Sequence, residues 1–427
     1  MRYPSLVRTT ILPLCLILTC PVTVVLIWYT QMAYAGSLAR ALASIDIATV
    51  YNIWPRPTLV ACQILLIFVI MQLLLMVLLP GRTYLGPVTP AGDRVAYKIN
   101  GLQAWVVTHL LLYLGAYQLK WFSPTIVYDH FGSLLTVCSL FSLLFCGFLY
   151  AKGVWMPSGK DAGRSGNFIF DYFWGVELHP RILGIDLKQF ANVHLGMMCW
   201  SVIILSFLAK QYAIYHHVSN SMLLSVSLQL VYIFKFFWWE RGYYRTLDMM
   251  HDRFGFYLCW GIITWLPCLY TSQALYLVHH PNELGTGPVS SILILGLVAI
   301  YINYDADIQR TRVREANGAC TIWGKRPEVI VAKYTSADGR IQENLLLVSG
   351  WWGLSRHFHY LAEIMIALSW TLPCLFDHFL PYFYVTFLTI LLVHRSFRDD
   401  RRCREKYGLF WDDYCARVPY RLIPHVF

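Results

Sequence analysis

The residues best suited to chemistry lie in one stretch, Leu345–Tyr360, with the sequence LLLVSGWWGLSRHFHY. Its apolar start, Leu345–Val348, predicts entry into the membrane and precedes two tryptophans, an arginine and two histidines. Ionisable groups are costly in a bilayer, so they usually face a protein interior or a wet cavity and mark function. Gly350 and Gly353 allow close approach of a backbone or a ligand. An interfacial aromatic belt is the alternative, but a belt requires neither the glycines nor the paired histidines.

Two further basic segments have residue types that bind phosphate. Arg310–Arg314 contains three arginines, and Arg395–Gly408 alternates charge signs before Trp411 and Tyr414. Arginine and lysine bind phosphate groups, and aromatic faces stack on adenine or nicotinamide rings. No GxGxxG fingerprint follows a strand, so a nucleotide would not be bound in the Rossmann manner. Because a charge run is usually a solvated helix face, the second segment alone leaves both interpretations open.

The composition excludes a soluble globular protein. Of 427 residues, 57% are hydrophobic and 14% are charged, whereas soluble domains have about 25% charged residues. Recurring apolar runs of roughly bilayer length predict an all-α polytopic membrane protein with about ten transmembrane helices. The first run lacks a convincing cleavage site, so we interpret it as a helix rather than as a signal peptide. The predicted spans are Thr10–Tyr29, Thr58–Leu79, Leu102–Leu119, Gly132–Tyr150, His194–Tyr212, Ser221–Trp239, Phe256–Val278, Val289–Ile302, Tyr360–Phe376 and Phe379–Val393.

The distribution of basic residues predicts the orientation of these spans. The amino end, alternate loops and the carboxyl end hold all but six of the 34 lysines and arginines. The positive-inside rule therefore places both termini in the cytosol. The net charge of +10 reflects this topology, and no nucleic-acid partner is expected. The six exceptions are Arg40, Arg56, Lys120 and Lys210 on the opposite side, with Lys235 and Arg356 at or within the membrane.

Two motifs resemble the signatures of a known family. Gly166–Arg181, GNFIFDYFWGVELHPR, is similar to the first signature of the sterol reductases, a family that includes sterol C14-reductases, 7-dehydrocholesterol reductases and the lamin B receptor. The Leu345–Tyr360 stretch is similar to the second signature, and the resemblance covers residues 55 to 427. Further segments favour the branch that reduces Δ7 sterols, with the C14 branch as the main alternative. These segments are Tyr301–Asp305, Ile322–Lys325, Tyr334–Gly339, His359 with Tyr360, and Pro419–Arg421.

The resemblance implies NADPH as the cofactor and a cofactor pocket on the cytosolic face. It places Arg310 and Arg314 at two cationic contacts, where the arginine at 310 is a mild departure from the lysine of many relatives. Forked guanidinium groups suit the phosphates of this cofactor. The other implied contacts are Leu347, Trp352, His359, Tyr360, Asp399, Cys403, Arg404, Glu405, Lys406, Tyr407 and Tyr414.

The proton donor has several candidates, and the predicted donors are Tyr270 and His359. Tyr270 matches a tyrosine found in much of the family, and its alternative is a buried phenol bonded to backbone. Many relatives carry an aspartate where this chain has Ile262, so an acid there is not essential. The mechanism we hypothesise is protonation of the less substituted alkene carbon, followed by hydride transfer in a pocket that excludes water. Further candidates are Glu240, Asp248, His251 and Asp252. The three acids have a structural alternative, as helix caps or as partners of Arg241, Arg245 and Arg253.

The resemblance implies one integral membrane reductase domain over residues 1–427, with the sterol pocket mainly in 1–300 and NADPH binding in 301–427. The expected partners are a sterol and the lipid bilayer, in the endoplasmic reticulum of a eukaryote or the inner membrane of a bacterium. The twelve cysteines include no CxxC pair and lie mostly in apolar runs, which predicts packed thiols rather than a metal site. Competing classes are a membrane methyltransferase of the isoprenylcysteine type and a sterol-binding protein without catalysis.

Overall fold

The computed structural model describes residues 6–44, 51–89, 91–335, 339 and 341–427. The fold is mainly helical, which confirms the all-α prediction, and the chain forms two compact units. The N-terminal unit contains Met1–Glu283 with Cys374–Pro381, and the C-terminal unit contains Leu284–Pro373 with Tyr382–Phe427. That these units act as one reductase domain stays a prediction.

The N-terminal unit consists of helices with short antiparallel hairpins between them. Its π-helical segments are Val7–Ile11, Leu114–Gln118, Phe190–Met197 and Gly261–Trp265, and its hairpins are Arg82–Val88 with Arg94–Ile99 and Arg181–Ile182 with Ile185–Asp186. Its α-helices are Leu12–Tyr34, Leu38–Ser44, Leu59–Leu78, Gly101–Tyr113, Ile126–Asp129, Phe131–Trp155, Phe168–Trp174, Leu187–Gln189, Met198–Tyr215, Asn220–Trp238, Glu240–Tyr243, Leu247–Met250, Phe256–Trp260, Leu266–Leu269 and Ser272–His279.

Seven helices in the described part of the chain are long and apolar enough to cross a membrane, which is consistent with an integral membrane protein. The expected number of about ten is not confirmed. Their limits correct the predicted fifth span, because its helix begins at Leu187 rather than at His194. The seven are Val7–Tyr34, Leu59–Leu78, Phe131–Trp155, Leu187–Tyr215, Asn220–Trp238, Thr286–Glu315 and Leu380–Tyr407.

Three of the ten predicted spans do not correspond to any of these seven helices, and in each case the local sequence or backbone gives the reason. The third is the helix from Gly101, which carries the polar side chains Gln103 and His109. The seventh is interrupted at Tyr270, where two short helices meet. In the ninth, the α-helix ends at Thr371 and gives way to a 3₁₀ turn that contains a proline.

Two glycines from separate motifs bring backbones into direct contact in the N-terminal unit. Gly175 has φ of +99°, and a Cβ added there would lie 2.6 Å from the backbone nitrogen of Gly255. A Cβ on Gly255 would in turn collide with the backbone of Trp174 and Gly175. Beside this contact, the amide of Phe254 donates to the carbonyl of Glu177 at 3.0 Å. The first signature and the segment around residue 255 are therefore joined by backbone atoms, and any side chain would separate them.

The C-terminal unit combines two long helices with a hairpin and a helical carboxyl-terminal segment. Thr286–Glu315 packs along Phe358–Thr371, which in turn contacts Phe383–Tyr407. The other elements are the antiparallel strands Val329–Thr335 and Ile341–Leu347, the short helix Trp351–Leu354 and the helix Leu409–Arg417. Two 3₁₀ turns, Leu372–Cys374 and Leu380–Tyr382, lie where the chain passes from one unit to the other.

The hairpin corrects the interpretation of the apolar run Leu345–Val348 as a membrane entry. Residues 345 to 347 belong to strand Ile341–Leu347, where Leu347 pairs with Val329. Leu346 packs with Cys403 and Tyr407, and Leu347 packs with Val313 and Trp352. The apolar side chains are thus covered by protein, and alternation along the strand directs them into two cores.

A buried ion pair fastens the carboxyl-terminal segment to the rest of this unit. The Arg356 guanidinium lies 3.3 Å from Asp400 Oδ1, and both side chains are less than a tenth exposed. Asp400 also accepts from Arg421 at 3.2 Å and from the Trp411 indole at 3.1 Å. Arg356 donates its backbone N–H to Tyr420 and its Nη2 to the carbonyl of Pro419. One carboxylate therefore pairs with two guanidinium groups, Arg356 and Arg421, and links them in one network.

The glycine contact makes a stability prediction. We expect Gly255→Ala to lower the free energy of unfolding by about 1–3 kcal/mol, because overpacking forces the two backbones apart. The matched control is Gly147→Ala, at a helical site where an added Cβ meets nothing within 4 Å. Thermal unfolding of both variants in detergent, followed by size-exclusion chromatography, measures the difference. Equal unfolding temperatures for the two variants would contradict the prediction.

The buried ion pair makes a second prediction. Asp400→Ala leaves two guanidinium groups without their carboxylate, and loss of one partner of a buried pair typically costs about 3–5 kcal/mol. Asp412→Ala is the matched control, because Asp412 pairs with Arg404 where both side chains are more than half exposed. Exposed pairs contribute about 0–1 kcal/mol. We expect a large drop in thermal stability and faster proteolysis of the carboxyl-terminal segment for Asp400→Ala only.

Candidate functional site

Arg310 and Trp352 form the centre of the candidate cofactor site in the C-terminal unit. The Arg310 guanidinium lies 4.5 Å from the centroid of the Trp352 ring and donates to Asp307 Oδ1 at 3.0 Å. The Trp352 indole donates to the carbonyl of Ala306 at 2.8 Å, and its ring is 4.8 Å from that of His359. The helix that ends at Glu315 thus supplies the cation, and the second signature supplies the aromatic surface beneath it.

The second signature then places three rings together. His359 lies 4.3 Å from Tyr360 between ring centroids, and His357 stacks on Tyr360 at 4.9 Å with 7° between the planes. Asn303 holds this segment by donating to the carbonyl of His359 at 3.1 Å. The pairing of histidine and tyrosine in the sequence therefore produces a contiguous aromatic cluster with polar edges.

The imidazole of His357 is buried and neutral. Burial lowers the pKa of His357 to about 4, an effect that Asp399 opposes and that the charges of Arg356 and Arg310 reinforce. Asp399 Oδ2 lies 3.9 Å from His357 Nε2, while its other oxygen accepts from Arg402 at 2.6 Å. Asp399 thus connects the helix Phe383–Tyr407, to which it and Arg402 belong, with the aromatic cluster.

Arg314 and Lys406 form a second cationic region. Arg314 Nε donates to the carbonyl of Leu345 at 3.4 Å. The Lys406 ammonium lies 4.0 Å from the ring centroid of Tyr334 and 5.1 Å from that of Tyr407. The positive charge of Arg314 acts electrostatically on this ammonium. Both side chains are exposed, so an anion in solution can approach them.

Trp352 and four other predicted cofactor contacts are buried in hydrophobic cores. Leu347 packs beside Trp352, while Cys403, Tyr407 and Tyr414 pack together against the hairpin. Burial raises the pKa of Tyr414, whose hydroxyl donates to the carbonyl of Trp352 at 3.3 Å. These buried side chains pack beneath the cationic and aromatic residues of the candidate site. Their own role in cofactor binding stays a prediction.

The remaining two predicted contacts are at the surface. Arg404 and Glu405 are exposed, and Arg404 donates to Asp412 Oδ1 at 3.1 Å. The structure therefore brings Arg310, Trp352, His359 and Tyr360 into one group. Arg404 is on the outer, exposed face of the helix Phe383–Tyr407.

Several residues that shape this site were missed from the sequence. Asp305 Oδ2 accepts from Gln309 at 2.7 Å and from the Trp351 indole at 2.8 Å. Gln309 in turn accepts from the backbone N–H of Trp351, and its side chain fills the space that a Cβ on Gly350 would need. The i,i+4 spacing of Asp305 and Gln309 is a signal of pairing on one helix face. This spacing does not indicate that the Trp351 indole also donates to Asp305, because Trp351 is 46 residues away in sequence.

The predicted donor Tyr270 lies in the N-terminal unit, where its span is interrupted. Its ring meets that of Trp200 edge-on, with centroids 5.2 Å apart and an angle of 82°. The Trp200 indole donates to Gln229 at 2.8 Å. Tyr270 is therefore held at a helix break by an aromatic neighbour, and its role as a donor stays a prediction.

The acidic candidates near the end of the sixth predicted span have structural contacts. Glu240 accepts from the backbone N–H of Gly101 at 2.8 Å and from Tyr244 at 2.5 Å, and it thus caps the helix that starts there. Burial raises the pKa of Glu240 to about 7, although both hydrogen bonds oppose this shift. The carbonyl of Asp252 accepts from Lys188 at 2.6 Å. The helix-cap interpretation thus describes Glu240 in the structure.

The arginines proposed as partners of these acids have other contacts in the structure. The Arg241 guanidinium lies 4.3 Å from the ring centroid of Trp239. Arg245 donates to the Tyr84 hydroxyl at 2.7 Å, and Arg253 donates to the carbonyl of Gly163. Asp248 and His251 are half-buried in the same region.

Comparison with known proteins gives a consistent result over nearly the whole chain. A relative from Arabidopsis thaliana named 7-dehydrocholesterol reductase is 49% identical over 418 residues, which is 97% of this chain and 96% of the relative. A Xenopus laevis protein of the same name is 44% identical over 89% of this chain and 84% of its own length. A Delta(14)-sterol reductase from Methylotuvimicrobium alcaliphilum is 38% identical over 97% of this chain and 94% of its length. The model of the ergosterol biosynthesis ERG4/ERG24 family matches residues 13–427, and the chain belongs to this sterol reductase family.

Proposed function

We propose that this chain is an NADPH-dependent Δ7-sterol reductase, which saturates the C7–C8 double bond of a 5,7-diene sterol. One observation carries the proposal: the Arabidopsis thaliana relative named 7-dehydrocholesterol reductase is 49% identical over 97% of this chain. Vertebrate relatives of the same name, at 44% and 43% identity, support it. Reductases of this type are oxidoreductases, and reduction of a carbon–carbon double bond is consistent with a nicotinamide cofactor.

The C-terminal unit has the residue types that fit NADPH. A guanidinium has five N–H donors, and Asp307 accepts from one nitrogen of Arg310, so other donors remain for a phosphate. Arg314 and Lys406 add positive charge for the second phosphate group, while Trp352 and Tyr360 offer faces for the cofactor rings. When bound, NADPH supplies the hydride.

The protein must also supply a proton and exclude water from the reacting carbon. Tyr270 and His359 are the proposed donors, in the N-terminal and C-terminal units respectively. The ring of His359 lies 4.8 Å from that of Trp352 and 4.3 Å from that of Tyr360 between centroids, so it has an aromatic neighbour on each of these residues. Exclusion of water favours capture of the protonated sterol by hydride rather than by hydroxide.

The principal alternative is reduction of an 8,14-diene sterol. The relative named Delta(14)-sterol reductase is 38% identical to this chain, compared with 49% for the plant relative, so the Δ7 assignment is favoured. We further propose that both termini face the cytosol, in the endoplasmic reticulum of a eukaryotic host or the inner membrane of a bacterial one.

A sterol conversion assay tests the function. Membranes that contain the chain receive NADPH and either 7-dehydrocholesterol or an 8,14-diene sterol, and products are resolved by mass spectrometry. We expect loss of the conjugated-diene absorbance and a gain of two hydrogens for the 5,7-diene, with none in membranes that lack the chain. Turnover of the 8,14-diene alone would transfer the assignment to the C14 branch. No turnover of either sterol by the folded protein would refute the enzymatic proposal.

A pair of arginine variants tests the cofactor site. Arg314→Ala removes a charge-assisted phosphate contact, so we expect the KM for NADPH to rise by about ten- to a hundredfold. Arg312→Ala is the matched control, because Arg312 is an exposed arginine on the same helix outside the proposed contacts. The variants are compared at saturating sterol with NADPH and with NADH. A similar KM for NADPH in both variants would remove Arg314 from the site.

A further inference from the structure

The imidazole of His194 is fully buried in the N-terminal unit, and neither of its ring nitrogens has a hydrogen-bond partner among the residues that the structure describes. His194 was predicted as the first residue of a span, but it lies within the helix that begins at Leu187. A buried polar group without a partner is costly, because it has lost water and gained nothing in exchange. The two ring nitrogens therefore require a partner that the described residues do not supply.

The backbone around His194 is distorted as well. The residue belongs to the π-helical segment Phe190–Met197, which packs against a second π-helical segment, Gly261–Trp265. At their contact, a Cβ on Gly196 would lie 2.6 Å from the Ile262 side chain. Isolated π-helical turns are uncommon and frequently mark functional sites. Here two of them meet beside the unpartnered imidazole.

The ring of His194 has an aromatic neighbour, and Lys98 is close enough for its charge to act on the imidazole. The Phe190 ring lies 6.2 Å from the imidazole, at an angle of 22°. A neutral imidazole has one N–H donor and one acceptor nitrogen, and a hydroxyl can match either of them. The 3β-hydroxyl is the only polar group of a simple sterol, whose rings suit apolar neighbours. A sterol, the substrate class of the proposed function, therefore has a group that matches the imidazole.

Two other buried side chains in this unit compete for the same role. Both amide atoms of Gln31 and of Gln273 lack partners among the described residues. Glutamine has one more rotatable bond than histidine, so small rotations can carry its amide to a nearby carbonyl. Neither residue lies in a π-helical segment, whereas His194 combines the missing partners with the distorted backbone. His194 is therefore the stronger candidate.

We propose that His194 donates to or accepts from the 3β-hydroxyl of a sterol bound in the N-terminal unit, and so selects for the free hydroxyl. The substrate class rests on the proposed function, but the hydrogen bond is a property of equilibrium binding. It is therefore tested without NADPH and without turnover.

The test compares two ligands and four proteins in nanodiscs. Tritiated 7-dehydrocholesterol and its 3-deoxy analogue are titrated against the full chain, His194→Phe, His194→Asn and Gln273→Leu. We expect the wild-type chain to prefer the hydroxylated sterol by about tenfold, as one hydrogen bond provides. His194→Phe should lose this preference, His194→Asn should recover part of it, and Gln273→Leu should keep it. Thermal unfolding confirms that each variant is folded.

Several results would overturn the inference. A hydroxyl preference that persists in His194→Phe would do so, as would its loss in Gln273→Leu with retention in His194→Phe. If His194→Phe does not fold, the inference requires that His194→Asn weaken the preference, and an unchanged preference refutes it. Equal affinity of the wild-type chain for both ligands also refutes it. The two proposals remain separable, because a chain that does not reduce 7-dehydrocholesterol but binds it through His194 disproves only the reductase function.

Discussion

The buried pair of Arg356 and Asp400 is the interaction on which the C-terminal unit depends. A guanidinium in a protein interior is costly unless a carboxylate offsets its charge and other groups accept from its nitrogens. Asp400 supplies the charge, and the carbonyl of Pro419 accepts from a second guanidinium nitrogen. The flanking residues extend this attachment, because Ser355 donates to the carbonyl of Leu422 at 2.7 Å. The pair thus fixes the start of the helix that carries His359 and Tyr360.

A different constraint acts in the N-terminal unit, where glycines join motifs that are distant in sequence. The contact of Gly175 with Gly255 explains why the first signature ends its aromatic run with a glycine, since only hydrogen fits between the two backbones. Gly350 serves a related purpose in the second signature, with φ of +62° and a side-chain oxygen of Gln309 in the place of a Cβ. In both units, therefore, motif glycines provide close approach of protein to protein.

Long apolar runs allowed accurate prediction of the simplest helices. The predicted span Thr58–Leu79 corresponds to the helix Leu59–Leu78, and Ser221–Trp239 corresponds to Asn220–Trp238. An apolar segment can be buried either by lipid or by other protein residues, and composition does not distinguish the two. The prediction that Leu345–Leu347 enters the membrane was therefore wrong, because these residues form part of a strand packed against protein. Pairing across long separations was also hidden, because nothing local links Arg356 to Asp400, 44 residues later. The residue types of the site were visible in the sequence, whereas the contacts that orient them depend on tertiary structure.

Two buried histidines show how the structure separates a supporting role from a ligand-binding one. His357 stacks on Tyr360 and has Asp399 within 3.9 Å, so its environment is provided by the chain itself. His194 is equally enclosed, yet neither of its nitrogens has a partner among the described residues. Burial alone does not distinguish the two, since both imidazoles have left water. What distinguishes them is that the chain places a carboxylate near the ring of His357, whereas the polar contact of His194 is, in our proposal, left to another molecule.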